Sequence, residues 1–175
     1  MVQIFKLLNK KSNSNILRYF LENPTTRIHA ELLRKQINIA KKSLLDGLCV
    51  LAESEILKII QIGRTKQYYL NRDNVIVKQL KILYNIETII PLLKKLQNES
   101  VEAYLYGSAA RGENIEKSDV DLLIIGHGRA ADTLSKLQNN KKVEPVYFTF
   151  VEYAQLARKD KPFYERIEKD KIRLI

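Results

Sequence analysis

Two groups of polar residues in L-Y-G-S-A-A-R-G-E-N-I-E-K-S-D-V-D-L-L-I-I, residues 105–125, have the types and spacing to do chemistry. The first is Gly107-Ser108, followed by Arg111. If a strand ends at Tyr106 and a helix begins near Ala109, the turn gathers backbone N–H groups, a hydroxyl and a guanidinium into a cradle suited to phosphate. The second is Asp119-Val120-Asp121, which starts twelve residues after Gly107 and runs directly into Leu122–Ile125. Side chains alternate along a strand, so both carboxylates face one side. Two like charges there repel unless a cation sits between them. Magnesium suits best, being hard, oxygen-seeking and normally shared between one or two carboxylates and substrate phosphates.

The elements that must position these groups form a small α/β unit. The pattern predicts a strand over Val101–Tyr106, a second over Leu122–Ile125 and a third over Val143–Phe150, with a terminal strand at Ile172–Ile175. Helices are expected over residues 130–138, 151–158 and 162–168. Ahead of this unit, residues 74–98 read as one long helical segment, with Ile76, Leu80, Leu83, Ile86, Ile90, Leu93 and Leu96 at three- to four-residue steps. Pro91 should kink or break it.

The N-terminal part has a different pattern. Ile16, Leu17, Phe20 and Leu21 have helical spacing, with Pro24 as a stop. A second helix is expected over Arg27–Gln36, with His29 on its surface or half-buried, and a third over Ala40–Ala52, with Leu44, Leu48 and Leu51 as a stripe joined by Leu45. Cys49, among apolar neighbours, reads as a packed thiol. Two β-prone runs follow, Ile56–Ile62 and Lys66–Leu70, joined at Gly63-Arg64-Thr65, where glycine suits a hairpin tip.

Charge separates the two parts. The net charge is +10, and residues 1–98 hold 17 Lys and Arg against 7 Asp and Glu, whereas residues 99–175 hold 13 of each. A basic part beside a neutral one fits contact with a polyanion, and equally a lysine-rich solvated surface. No apolar run is long enough to span a bilayer, and no signal-peptide pattern opens the chain. The single cysteine excludes an internal disulfide framework. A cytoplasmic protein without membrane contact is the expectation.

These residues carry two resemblances. G-S-A-A-R-G-x5-S-D-V-D-L resembles the signature of the DNA polymerase beta-like nucleotidyltransferase superfamily in its minimal form. The resemblance implies that Gly107 and Ser108 hold the triphosphate of an NTP, supported by Arg111 and Ser118. It also implies that Asp119 and Asp121 bind metal and that a nucleotidyl group moves to an acceptor hydroxyl. The superfamily takes a third carboxylate from the third strand. This chain offers Glu144 there, followed by Pro145, which should disturb the strand; Glu144 reads either as catalytic or as a solvent-facing charge.

The order of three helices and a hairpin resembles a winged helix-turn-helix domain. Its implied DNA-binding residues are Lys41, Lys42 and Ser43 at the start of the third helix, with Arg64 and Lys66 on the wing. Docking or dimerisation is the other use of such a domain. Family members often carry glycine where Glu55 stands here, so a looser turn is expected.

The resulting expectation is an α+β chain in three parts: a winged helix-turn-helix at 1–73, a helical connector at 74–98 and a minimal nucleotidyltransferase domain at 99–175. The leading function is Mg²⁺-dependent nucleotidyl transfer by a protein that binds double-stranded DNA, as a homodimer if it reads two half-sites. The rivals are a transcription regulator whose second domain only binds nucleotide, and an antitoxin-like protein with a toxin-like partner.

Overall fold

The structure, a computed structural model, describes residues 8–96, 100–127 and 143–175, together with Leu134 and Leu137. Two compact units divide between Lys78 and Gln79.

In the first unit, helix α1 (Lys11–Glu22) buries Ile16, Leu17, Phe20 and Leu21 along the expected stripe. Asn23 ends it, with both its backbone and side-chain N–H groups donating to the Tyr19 carbonyl. The segment Arg27–His29, expected as helix, is instead a strand, β1, and helix α2 begins only at Ala30 and runs to Ile37. Pairing overrides local pattern here: Arg27–His29 lies antiparallel to β3, with Ile28 opposite Tyr68. His29 is thus a strand residue whose ring lies 3.1 Å from the Lys66 carbonyl and 3.0 Å from Gln67 Nε2.

Helix α3 (Lys41–Glu53) buries Leu44, Gly47, Leu48 and Leu51. Leu45 and Cys49 lie on its outer face, and Cys49 is an exposed thiol that donates to Glu53 Oε1 at 3.2 Å. Leu48 and Leu51 point the other way around the helix, whereas Val50 is exposed like Cys49, so the thiol is not packed as expected. Past α3, Glu55 adopts φ +56° and turns the chain so that Ile56 and Leu57 are buried. The turn therefore closes in the left-handed conformation despite lacking glycine. Strands β2 (Leu57–Ile62) and β3 (Thr65–Leu70) then form the expected hairpin with Gly63 at φ +57°, giving a sheet of order β1-β3-β2.

Helix α4 (Val75–Leu93) contains the unit boundary. Pro91 lies in its last turn and the helix stops two residues later in a 3₁₀ turn, Lys94–Leu96. Within the second unit its buried line is Lys81, Asn85, Ile89 and Leu93, while Leu83 and Ile90, expected on the apolar stripe, are exposed.

The sheet of this unit has order β6-β5-β4-β7, built from β4 (Val101–Leu105), β5 (Val120–Gly126), β6 (Val143–Thr149) and β7 (Ile172–Arg173). Strands β5 and β6 are parallel and the other pairs antiparallel. On one face Ala103, Leu105, Leu122 and Ile124 pack with Ile89, Leu93 and Leu96. On the other, Leu123 and Ile125 pack with Tyr106, Leu156 and Ile167. Burial on both faces is why β5 reads L-L-I-I rather than alternating.

Helix α5 is a single turn, Gly107–Ala110. Helix α6 (Phe150–Lys159) starts at a capping box between Thr149 and Glu152, and α7 (Lys161–Glu168) starts with Asp160 accepting from the Phe163 N–H at 3.1 Å. Such caps satisfy helix-end N–H groups that otherwise have no partner. Nearly all of the helix expected over 130–138 lies outside the described residues. No described helix is long and apolar enough to cross a membrane.

Candidate active site

The site lies where β4 turns into α5 and β5 begins. Gly107 carries φ +70°, a backbone conformation that favours glycine, and it lies directly against Asp121. A Cβ built on Gly107 would stand 2.3 Å from Asp121 Oδ2, so no other residue fits without displacing the carboxylate. The Tyr106 N–H donates to the Asp121 carbonyl at 3.2 Å, which ties the end of β4 to the start of β5. The strand–turn–strand arrangement expected from spacing is what the chain adopts.

Asp119 immediately precedes β5 and Asp121 is its second residue. Glu144 is the register partner of Asp121 across the parallel β5–β6 pair, so the two side chains project from the same face. Pro145 sits opposite Leu122 within an unbroken register. The expected disturbance does not occur, because β6 is the outer strand among those described and an edge tolerates a missing N–H.

Electrostatics concentrate on Asp121. Burial pushes its carboxyl above the ordinary range, the charge of Glu144 adds to this, Arg166 opposes it, and the charge of Asp119 raises it further. The charged form is thus held under strain that a cation would relieve. The described residues contain no group of three or more His, Cys, Asp or Glu side chains that could hold a metal. Magnesium does not need one, since it binds through one or two carboxylates with phosphates and water. The donor set is all carboxylate oxygen, and in chemistry and crowding Asp119 and Asp121 fit such an ion.

Of the other expected residues, Arg111 and Ser118 have side chains that are already engaged. The Arg111 Nε donates to Glu113 Oε2 at 2.9 Å, and its Nη1 donates to Asp170 Oδ2. The hydroxyl of Ser118 accepts from the Ile115 N–H at 3.0 Å and so braces the loop into β5. Ser108 is half-buried in α5, and its carbonyl accepts from the Glu113 N–H at 2.9 Å. In the first unit Lys41, Lys42 and Ser43 are exposed at the start of α3, and Arg64 and Lys66 are exposed around the hairpin tip.

Three supporting residues escape a reading of the sequence. Asp170, between α7 and β7, accepts from the Gly107 N–H at 3.2 Å. Asn85 donates to the Ala109 carbonyl at 2.8 Å and to Asn114 Oδ1 at 2.9 Å, both amides being buried. Asn85 leaves one trace, a polar residue set within an apolar helix. Asp170 leaves none, since a loop carboxylate reads as solvated.

A family model described as nucleotidyltransferase domain matches residues 86–175, which take in Gly107, Asp119, Asp121, Glu144 and Asp170. The chain belongs to that family. Among solved structures, it is similar to a candidate transcriptional regulator from Methanosarcina mazei Go1, at 23% identity and TM-score 0.39, over 54% of this chain and 86% of that one. It is also similar to a candidate nucleotidyltransferase from Sulfolobus solfataricus, at 23% identity and TM-score 0.35, over 57% and 84%. Neither likeness is close enough to carry an argument. No curated protein sequence matches the chain.

Proposed function

We propose that this protein is a Mg²⁺-dependent nucleotidyltransferase that moves a nucleotidyl group from an NTP to an acceptor hydroxyl, and that its first unit is a winged helix-turn-helix that holds it on double-stranded DNA. The observation that carries the catalytic half is the crowding of Asp121 by Gly107, Glu144 and Asp119 on one sheet face. In transfer, the acceptor oxygen bonds to the α-phosphorus while the bond from that phosphorus to the pyrophosphate oxygen breaks. Magnesium, when bound, would neutralise phosphate charge and lower the acceptor's pKa, with Asp119 and Asp121 as its ligands. Gly107 and Ser108 bring the phosphate chain close to backbone, because no side chain intervenes at Gly107. Glu144, exposed on the same face, takes the acceptor proton at its carboxylate.

For the DNA-binding half, α3 begins with Lys41 and Lys42, and has neither a first-turn acid nor a side-chain cap. Cations at a helix N-terminus oppose the macrodipole, and a phosphate laid there offsets that cost.

A second reading has its own observation. The Gly107 amide and Arg111 are both held by Asp170, which suits a domain that binds nucleotide without turning it over. Incubation with labelled NTPs, Mg²⁺ and protein, nucleic-acid or small-molecule acceptors separates the two. The transfer reading expects label on an acceptor, and a loss of at least ~100-fold in Asp121→Asn, since loss of a metal ligand removes several kcal/mol of transition-state stabilisation. Wild-type transfer no higher than that of the variant would leave only binding.

A further inference from the structure

The grip of Asp170 on the cradle has a role that rests on the nucleotidyl-transfer reading and extends it. Its two carboxylate oxygens hold different groups: Oδ1 accepts from the Gly107 N–H at 3.2 Å and Oδ2 from Arg111 Nη1. The Asp170 side chain is only 11% exposed while that of Arg111 is 40% exposed, so the pair is charge-assisted with a shielded carboxylate and a guanidinium that still faces water. Its place is set from both sides. The Asp170 and Lys171 N–H groups donate to the Ile167 carbonyl at the end of α7, and Ile172 pairs with Leu105 on β4, the strand that leads into Gly107.

We infer that Asp170 is a positioning residue for nucleotide binding, fixing the Gly107 turn against Asp121 and holding Arg111 in place. The amide of Gly107 is satisfied from within the chain, and Arg111 is countered by two carboxylates, Glu113 and Asp170. The Gly107 amide is then no longer a free anion donor, and Arg111, with two of its five N–H groups taken, is fixed in place with part of its charge already countered. Displacing Asp170 with phosphate would leave a shielded carboxylate without its partners, which is costly. The contribution of this corner is therefore geometric: it sets where Gly107 meets Asp121 and leaves Ser108 and the carboxylate face for substrate. Asn85 holds the other end of the same turn through the Ala109 carbonyl, so the turn is clamped at both ends.

The test uses the full-length protein, with Asp170→Ala to remove both contacts and Asp170→Asn to keep an acceptor for Gly107 while removing the charge. Hydrogen exchange of the 107–112 amides, without nucleotide, should speed up about tenfold or more in Asp170→Ala while β5 keeps its protection. Calorimetric affinity for Mg²⁺-bound ATP, GTP, CTP or UTP should fall by about tenfold or more, as for loss of a residue that orients a binding group. Asp170→Asn should lie between wild type and Asp170→Ala, and it carries the test alone if the alanine variant does not fold. A lower melting temperature with unchanged affinity would reduce Asp170 to a structural brace and overturn the inference. Tighter nucleotide binding in Asp170→Ala would also overturn it, by making Asp170 a competitor of phosphate. No nucleotide binding by the wild type would sink the transfer reading instead, and the exchange comparison would still decide whether Asp170 orders the turn.

Discussion

Asp121 holds a charge where burial and two neighbouring carboxylates oppose one, with Arg166 and Arg111 acting the other way. Its carboxyl titrates above the ordinary range in the folded chain, so between the unfolded and folded values the folded state binds more protons. Stability therefore falls as pH rises through that window. Asp121→Asn removes the charge. In a chelator-containing buffer near neutral pH the variant should melt above the wild type, and the gap should close as pH drops below the ordinary carboxylate value of about 4. Thermal melts across pH check this, and a variant no more stable at neutral pH would show that the site is not strained. Loss of function with gain of stability is expected where an active site stores unfavourable charge. The two aspartates and Gly107 were legible in the sequence because a D-x-D before an apolar strand and a glycine after one leave little choice of geometry. Asp170 was not, because its partners are 63 and 59 positions away.

The elements of the first unit follow their local patterns except where pairing outweighs them. Arg27–His29 became a strand because β3 offered a free edge, and Glu55 took a left-handed turn because burial of Ile56 and Leu57 required one. Two side chains brace that turn: Asn71 and Asn74 donate to the Glu55 carbonyl at 2.8 and 3.2 Å. A non-glycine residue in this conformation costs roughly 1–2 kcal/mol, against about 0.5–1 kcal/mol for the extra chain entropy of glycine. Glu55→Gly should therefore stabilise the protein by up to about 1 kcal/mol. Urea unfolding measures this through the midpoint at constant m-value. A destabilised variant would mean that the Glu55 side chain contributes more than the turn strain costs.

At the scale of the whole molecule the asymmetry is electrostatic. All of the net +10 falls within residues 1–98, and Lys41, Lys42, Arg64 and Lys66 are exposed. Binding of duplex DNA through these side chains releases counterions, so log K should fall linearly with log salt. Lys41→Ala, Lys42→Ala and Arg64→Ala together should lower that slope by about 3 if each contacts a phosphate. Fluorescence anisotropy over a salt series reads the slope. An unchanged slope would assign the first unit to docking or dimerisation instead, and no binding to any duplex at low salt would do the same.

The sequence by itself determined what depends on neighbours along the chain: the helical stripes of α1 and α3, the hairpin at Gly63, and the pairing of cradle with carboxylates between Gly107 and Asp121. These rest on local periodicity and turn chemistry, which act over a few residues. Tertiary structure alone decided which side of α4 is buried, that Cys49 faces outward, that Arg27–His29 pairs as a strand, and that Glu144 stands beside Asp121. It also decided that Asp170 and Asn85 close on the two ends of the Gly107 turn. Each of these depends on strand register or on contacts between residues distant in the chain. Periodicity cannot specify such partners, because it says which face a residue occupies and not what that face meets.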